Sequence, residues 1–386
     1  MKKYKLALVG VTGLVGQTAL KVLEEFNLPI SEYKFFASSR SAGKKITFMG
    51  KEFTVCELTE SSFDEGFDYA IFSAGGDVSK KFSPIAASKG CIVVDNSSAF
   101  RMESGVPLVV PEVNIKDAFI NNGIIANPNC STIQAVVALK PLDDKYKIKR
   151  VIYSTYQAVS GAGQKGVMDL ENTSRGKAPV KFAHPIYNNC LPHIDIFADN
   201  GYTKEEIKMM NETRKILHRP DLKITATAVR VPVQNAHSES INIEFEKDFD
   251  IDDVKKLLKK SSGIIVQDDT STNTYPLAAS ASGHNEVYVG RIRRDESVPY
   301  GLNIWVVADN IRKGAATNAV QIVNELIKNR IWYVYNISSE QKWKLRFHAV
   351  TEFHHLGTGL KPVPRMIEIL GKKSIFPMQW KMVTGL

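Results

Sequence analysis

Cysteine is scarce in this chain of 386 residues, and its spacing excludes two kinds of stabilising site. The four cysteines, Cys56, Cys91, Cys130 and Cys190, have neither paired spacing nor the spacing of metal ligands. We therefore expect no disulfide framework and no metal site. Free thiols suit a reducing compartment, which favours a cytoplasmic location.

Long apolar runs and a concentrated charge of one sign are also missing. No apolar segment approaches the roughly 20 residues of a membrane span, and the N-terminus leads into a predicted strand instead of a signal peptide. The formal net charge is +9, but residues 331–386 contribute more than half of it, with eight Lys or Arg against three Glu. We expect neither a membrane nor a nucleic-acid partner.

The composition that remains is typical of a soluble globular protein long enough for two domains. Residues 5–9 predict a buried strand, and Gly10, Gly13 and Gly16 follow it at the start of an amphipathic helix. Such glycines permit a tight turn and a close approach of the backbone to a pyrophosphate. The order of strand, turn and helix predicts a Rossmann-type dinucleotide-binding domain.

The next predicted strand, residues 33–37, indicates which dinucleotide binds. An NAD site usually has an acidic residue at this strand end, whereas here Ser38, Arg40 and Ser41 follow. Hydroxyls and a guanidinium suit a ribose 2′-phosphate, so NADP is favoured over NAD. Small residues, including Ser73 and Gly75, follow another predicted strand and should face the cofactor.

Cys130 lies between a predicted strand, residues 123–126, and a predicted helix that starts near Ile133 and stops at Pro141. A thiol at a helix N-terminus gains a lower pKa, because unpaired backbone N–H groups favour the thiolate. A reactive cysteine is one interpretation. A small buried residue at a strand-to-helix corner is the other.

The second half of the chain predicts an α+β domain. Residues 150–157, 223–232 and 238–245 alternate as strands, and we expect the last two to be neighbours. One face of this sheet, with a regular apolar pattern, is compatible with a dimer interface.

Five segments, in order along residues 1–329, together resemble the aspartate-β-semialdehyde dehydrogenase family. These are Gly10-x-Thr12-Gly13-x-Val15-Gly16, Ser97-Ser98-Ala99-Phe100-Arg101, Asn127-Pro128-Asn129-Cys130-Ser131-Thr132, Tyr156-Gln157-Ala158-x-Ser160-Gly161 and Arg230-x-Pro232-x4-His237. The resemblance implies a glyceraldehyde-3-phosphate-dehydrogenase-like α/β fold. It places an NADP-binding domain at 1–129 with a return helix at 314–329, and a catalytic and dimerisation domain at 130–313.

The resemblance also implies an activity. β-Aspartyl phosphate would be reduced by NADPH to aspartate β-semialdehyde, with release of phosphate, in the biosynthesis of lysine through diaminopimelate, threonine, methionine and isoleucine. The enzyme would be a homodimer. Cys130 would form an acyl thioester, His237 would act as acid and base, and Gln157 would orient the acyl group.

The same resemblance assigns binding residues. Arg230 would hold the α-carboxylate of the substrate and Glu205 its amino group, and the phosphate would be bound by Arg101, Asn129 and Lys208. The cofactor would be contacted by Gly10, Thr12, Gly13, Leu14, Val15, Ser38, Arg40, Ser41, Ser73, Gly75, Ser160, Gly161 and Asn310.

Two other functions are compatible with the same architecture. N-acetyl-γ-glutamyl-phosphate reductase uses the same thioester chemistry, but an acetylated amino group has no charge for Glu205 to meet. A non-catalytic nucleotide-binding paralogue would not need Cys130, Gln157, Arg230 and His237 together. Residues 331–386 lie outside the family pattern, and we interpret them as an atypical extension: an interaction segment, a short appended element or a non-native end.

Overall fold

Six parallel strands from the N-terminal part of the chain form the first sheet. The structure is a computed structural model and describes residues 3–335. In chain order, this part contains β1 (Tyr4–Val9), α1 (Leu14–Phe26), β2 (Ile30–Ala37), β3 (Lys45–Phe48), β4 (Lys51–Thr54), β5 (Cys56–Glu57), β6 (Tyr69–Phe72), α2 (Gly76–Ser88), β7 (Ile92–Asp95), α3 (Pro111–Asn114) and β8 (Ile124–Ala126). The order across the sheet is β5-β2-β1-β6-β7-β8, and β3 and β4 pair separately.

The position of β1 decides where a ligand binds on this sheet. Its residues Leu6 to Val9 are fully buried, as expected of a central strand covered by helices on both faces. The chain runs from β1 outward to β2 and β5 on one side and then crosses back to β6 on the other side of β1, so the strand order reverses at β1. This parallel order with its reversal confirms the predicted α/β, Rossmann-type class. In such sheets, ligands bind outside the carboxyl ends of the strands at the reversal.

The second part of the chain, as far as the structure describes it, contains six strands, which form the second sheet, and six α-helices. In order they are α4 (Cys130–Tyr146), β9 (Ile148–Gln157), α5 (Gln164–Ser174), α6 (Lys204–Ile216), β10 (Lys223–Arg230), β11 (His237–Phe245), α7 (Ile251–Lys260), β12 (Ile264–Val266), α8 (Ala278–Ala281), β13 (Val287–Asp295), β14 (Gly301–Ala308) and α9 (Asn318–Tyr335). A π-helix, Arg312–Thr317, precedes α9.

The second sheet has the order β10-β9-β11-β14-β13-β12, so the predicted pairing of β10 with β11 is wrong. β9 lies between them, parallel to β10 and antiparallel to β11. The connecting residues 231–236 pass the end of β9, where the N–H of Val159 donates to the carbonyl of Val233 (2.8 Å). Because this connection crosses a strand end, it does not form a hairpin.

The predicted end of α4 at Pro141 is also wrong, since the helix continues to Tyr146. Proline removes one backbone hydrogen bond, but the last turn buries Leu142 and Tyr146 in the main core of the second sheet. This burial offsets the lost bond. The helix ends at Tyr146, because the next residue, Lys147, has a left-handed φ of 62°.

One face of the second sheet carries the apolar residues of its strands, but that face is covered by helices and not free for pairing. Val151 and Tyr153 of β9, for example, lie in the same core as α4. The opposite face is mixed, with Tyr156 partly exposed and Trp305 packed beside it at 5.4 Å between ring centroids. The regular apolar face is therefore part of the protein core, and the face that is left partly exposed is aromatic and polar.

The chain divides into residues 1–329 and residues 330–386. Of the extension predicted at residues 331–386, the structure describes 331–335 as the end of α9, and the rest lies outside the described residues. Within residues 3–335, no helix combines the length and apolar character that a membrane crossing requires. The same described range contains no cluster of His, Cys, Asp or Glu suited to hold a metal ion.

Candidate active site

Cys130 is the first residue of α4, and the residue before it caps the helix. The side-chain oxygen of Asn129 accepts the N–H groups of Ser131 (3.0 Å) and Thr132 (3.2 Å). Gly314 of the π-helix packs against the cysteine so closely that a Cβ there would lie 2.8 Å from the Cβ of Cys130. The cap of α4 and the π-helix together fix the position of the thiol. π-Helical turns are frequent at functional sites.

Burial raises the pKa of the Cys130 thiol to about 12, and the Glu205 carboxylate acts in the same direction. Arg230 and Arg101 oppose this shift without overcoming it. Our expectation of a lowered pKa at a helix N-terminus is therefore wrong. Enclosure of the sulfur outweighs the helix dipole, and the side chain of Asn129 takes two of the first-turn N–H groups.

Glu205 of α6 joins three of the sequence-predicted binding residues. One of its oxygens accepts from Asn129 Nδ2 (2.8 Å) and from Gln157 Nε2 (3.1 Å), and the other lies 3.4 Å from Lys208 Nζ. Burial opposes ionisation, but Lys208, the two amides and Arg230 hold the pKa of Glu205 below its usual value. The carboxylate is therefore charged and buried at the site.

Lys208 has a second partner that sequence reasoning missed. Its Nζ lies 2.6 Å from Asp195, which sits in the irregular segment before α6. Despite burial, Glu205 and Asp195 raise the pKa of Lys208. Asp195 has no characteristic spacing to α6 in the sequence, so its ion pair with Lys208 could not be predicted from sequence.

Arg230 ends β10 and is buried, with an exposure of 5%. Its Nη1 donates to the carbonyl of Ala158 (2.7 Å), while Nε has no partner among the described residues. A Cβ on Gly161 would lie 2.9 Å from that Nη1, so the glycine leaves the guanidinium uncovered. Unused N–H groups of a buried arginine suit the bidentate binding of a carboxylate.

His237 is the first residue of β11 and is fully buried. Its Nδ1 accepts the backbone N–H of Ala158 (2.9 Å), and its Nε2 has no partner within residues 3–335. Burial, followed by the charge of Arg230, lowers the pKa of His237 well below its usual value. The imidazole is therefore neutral in this structure.

Asn310 bonds to the residue before the histidine and to Ser160. Its Oδ1 accepts the N–H of Ala236 (2.9 Å), and its Nδ2 donates to Ser160 Oγ (3.1 Å). Ala236 has a φ of 69°, a left-handed conformation that is unfavourable for a residue with a side chain. Asn310 thus stabilises Ala236, the strained residue that precedes His237. It also bonds to Ser160, so these two sequence-predicted cofactor residues contact each other.

Arg101 uses most of its guanidinium on the protein. It donates to the carbonyls of Asn127 (2.9 Å) and Asn96 (2.9 Å) and to the carboxylate of Glu212 (3.0 Å). Glu212 also accepts the N–H of Asn129 (2.6 Å), so it connects Arg101 to the cap of α4. Sequence reasoning missed Glu212, although its position seven residues after Glu205 puts both on one face of α6.

The glycine turn after β1 fits a dinucleotide. A Cβ on Gly10 would lie 2.3 Å from the carbonyl oxygen of Ser73, and one on Gly16 would lie 2.2 Å from that of Gly10. No side chain caps α1, so its first-turn N–H groups face the turn that a pyrophosphate would occupy. Arg40 and its flanking serines form a short exposed turn after β2, at the same sheet edge.

A cavity of about 340 Å³ borders this turn, and most of its lining was not predicted. Leu14 is the residue it shares with the sequence-predicted cofactor site. The other lining residues are Thr18, Lys21, Gln164, Val167, Gln234, Asn235, Ser282, Gly283, Asp309, Ile311 and Arg312.

Comparison with known proteins agrees with this geometry. A family model described as the semialdehyde dehydrogenase NAD binding domain matches residues 5–120, and one for the semialdehyde dehydrogenase dimerisation domain matches residues 139–313. The aspartate-semialdehyde dehydrogenase of Aquifex aeolicus is 55% identical over 334 residues, which cover 84% of this chain and 98% of the relative. The chain belongs to the aspartate-semialdehyde dehydrogenase family.

Further similar proteins support this membership. The Bacillus subtilis aspartate-semialdehyde dehydrogenase is 51% identical over 336 residues, covering 83% of this chain and 97% of the relative. The crystal structure of aspartate semialdehyde dehydrogenase II from Vibrio cholerae complexed with ASA has 44% identity and a TM-score of 0.81, covering 85% of this chain and 99% of that one. Membership makes the chain an oxidoreductase of amino-acid biosynthesis, with a nucleotide-binding and a dimerisation domain.

Proposed function

We propose that this chain reduces β-aspartyl phosphate to aspartate β-semialdehyde, with NADPH as reductant and an acyl thioester on Cys130. The observation that carries the proposal is the buried, charged Glu205 held between Asn129 and Gln157, near Cys130 and Arg230. A carboxylate and a guanidinium at one site are complementary to the ammonium and carboxylate groups of an amino acid. The ASA complex of the Vibrio cholerae relative supports the same substrate class.

Each residue then has a chemical task. Arg230 binds the α-carboxylate and Glu205 the ammonium group, which brings the β-acyl carbon to the Cys130 sulfur. The sulfur attacks this carbon, the bond to the phosphate oxygen breaks, and Lys208 and Arg101 provide positive charge for the departing phosphate. The amide of Gln157 orients the acyl group. Bound NADPH supplies the hydride that reduces the thioester.

NADP is proposed over NAD because Arg40 and its flanking serines replace the acidic residue that an NAD site would carry. A Candida albicans relative with 26% identity and a TM-score of 0.66, covering 83% of this chain and 98% of that chain, was solved with NADP. The variant Arg40→Asp should raise the KM for NADP by at least about tenfold and the KM for NAD much less. Equal changes for both cofactors would contradict the preference.

A homodimer in the cytoplasm, acting in lysine, diaminopimelate, threonine, methionine and isoleucine biosynthesis, completes the proposal. The deciding assay follows phosphate-dependent reduction of NADP with aspartate semialdehyde, and in parallel with the semialdehyde of N-acetylglutamate. We expect turnover of the first substrate and little of the second, because Glu205 would face an uncharged acetamide. The reverse preference would identify the chain as an N-acetyl-γ-glutamyl-phosphate reductase.

The role of the nucleophile has its own control. Cys130→Ala should abolish turnover, whereas Cys56→Ala, which removes a thiol from the edge strand β5 of the first sheet, should leave it unchanged. Normal turnover by Cys130→Ala would refute the thioester mechanism.

A further inference from the structure

We propose that the ring of Phe182 holds the guanidinium of Arg230 in the plane that binds the substrate carboxylate, and that Asp169 holds Phe182 in place. The inference deepens the proposed function and rests on it for the identity of the carboxylate. Phe182 and Asp169 both lie outside the five sequence segments that resemble the family. They are positioning residues, because each acts through Arg230.

The guanidinium of Arg230 has few hydrogen bonds to fix it. Its Nη1 donates to the carbonyl of Ala158 (2.7 Å), whereas Nε is buried without a partner within residues 3–335. A single hydrogen bond lets the group rotate about that bond, but the bidentate binding of a carboxylate requires a defined plane. A contact with the flat face of the guanidinium would define this plane.

Phe182 supplies such a contact. The Cζ atom of Arg230 lies 5.9 Å from the centroid of the phenyl ring. At a separation of up to about 6 Å, the positive charge is attracted to the electrons of the ring face. A Cβ on Gly166 of α5 would lie 3.3 Å from Cζ of Phe182, so the glycine leaves room for the ring. The ring therefore contacts both α5 and Arg230.

Asp169 of α5 is fully buried and fixes the backbone at Phe182. Its Oδ1 accepts the N–H of Val180 (2.7 Å), and its Oδ2 accepts those of Lys181 (2.7 Å) and Phe182 (2.8 Å). Burial opposes ionisation, but these N–H groups and the charge of Lys181 hold the pKa of Asp169 below its usual value. Three charge-assisted hydrogen bonds thus attach an irregular segment to the helix.

The same segment is attached at two further points. Thr173 Oγ1 accepts the N–H of Tyr187 (3.1 Å) and donates to the carbonyl of Asp169 (2.7 Å). Leu191 and Arg230 exchange two backbone hydrogen bonds of 2.8 Å each. The segment that carries the ring therefore ends on the backbone of Arg230 itself, so the positions of ring and guanidinium are coupled.

Steady-state kinetics test the contact between ring and guanidinium. Phe182→Leu removes the ring, and we expect the KM for aspartate semialdehyde to rise about fivefold, with the KM for phosphate and for NADP changed by less than about twofold. Phe182→Tyr keeps the ring and should restore all three values. Phe53→Leu, which removes a ring packed on Phe35 in the first part of the chain, should change none of them. An unchanged KM for aspartate semialdehyde in Phe182→Leu, or an equal rise of all three, would overturn the proposal.

Hydrogen exchange tests the anchor without a substrate. In Asp169→Asn, which removes the charge, the amides of residues 180–182 should exchange at least about tenfold faster, and the KM for aspartate semialdehyde should rise as in Phe182→Leu. Asp250→Asn, the same change at a carboxylate that accepts two backbone N–H groups of α7, should alter neither. Exchange as slow as in the unmodified protein would refute the anchor. Failure of the unmodified protein to turn over aspartate semialdehyde would refute the proposed function instead.

Discussion

Cys130 is a thiol at neutral pH, because burial and the Glu205 carboxylate raise its pKa to about 12. Since the thiolate is the form that reacts, alkylation of Cys130 by iodoacetamide should accelerate by about tenfold per pH unit from pH 7 to 10. Peptide mapping separates its rate from that of the exposed Cys190, which serves as the accessible control. A rate that levels off below pH 8 would show that the thiol ionises readily.

The carboxylate of Glu205 should control recognition of the charged amino group. Glu205→Gln keeps the size of the side chain and removes the charge that Lys208 and Arg230 stabilise. We expect kcat/KM for aspartate semialdehyde to fall by about 100-fold, since a charged hydrogen bond contributes roughly 1.5–3 kcal/mol. Glu171→Gln, the same change at an exposed carboxylate of α5, is the control. Loss below threefold would exclude a direct role.

Sequence pattern predicted which residues of the site meet, but not how they are charged. The family resemblance named Asn129, Gln157 and Glu205, and the structure joins them through one carboxylate oxygen. The ionisation of Cys130 depends on enclosure by elements distant in sequence, which no local pattern contains. The spacing between Glu205 and Glu212 could have predicted that both lie on one face of α6. The partners of Glu212, Arg101 and Asn129, are distant in sequence and could not be predicted from it.

At the scale of elements, the alternation of apolar and polar residues predicted the strands but not which strands pair. β10 and β11 both have the predicted pattern, but β9 separates them because residues 231–236 cross its end. Pro141 likewise predicted the end of α4, but the helix continues because burial of the next turn outweighs the lost hydrogen bond. Local preference decides the type of an element, and tertiary contacts decide its neighbours and its end.

The π-helix beside Cys130 is held by a buried ion pair. Lys313 is fully buried, and its Nζ lies 2.7 Å from Glu112 and 2.8 Å from Gln321. Removing one partner leaves a buried charge alone, so Lys313→Met should lower the free energy of unfolding by about 3 kcal/mol. Because Gly314 packs on Cys130, kcat should fall as well.

Urea unfolding tests this element with two comparisons. The double variant Lys313→Met/Glu112→Gln should lose less stability than the single one, because no uncompensated charge remains. Lys328→Met, at an exposed pair on α9, should change the free energy of unfolding by less than about 0.5 kcal/mol. A Lys313→Met protein as stable as the parent would show that the pair does not hold the π-helix.

For the whole molecule, the mixed face of the second sheet is the surface where we expect a second copy to pack. Helices cover its opposite face, and on the mixed face Tyr156, 39% exposed, lies beside Trp305. Aromatic residues on a partly polar surface are typical of protein interfaces.

We expect a dimer in sedimentation velocity, and Tyr156→Asp should raise its dissociation constant by about 100-fold or more, because the interface would bury an unpaired charge. Tyr187→Asp, at a tyrosine that is 52% exposed and lies outside the strands, should leave the dimer intact. A Tyr156→Asp protein that stays dimeric at low micromolar concentration would move the interface elsewhere.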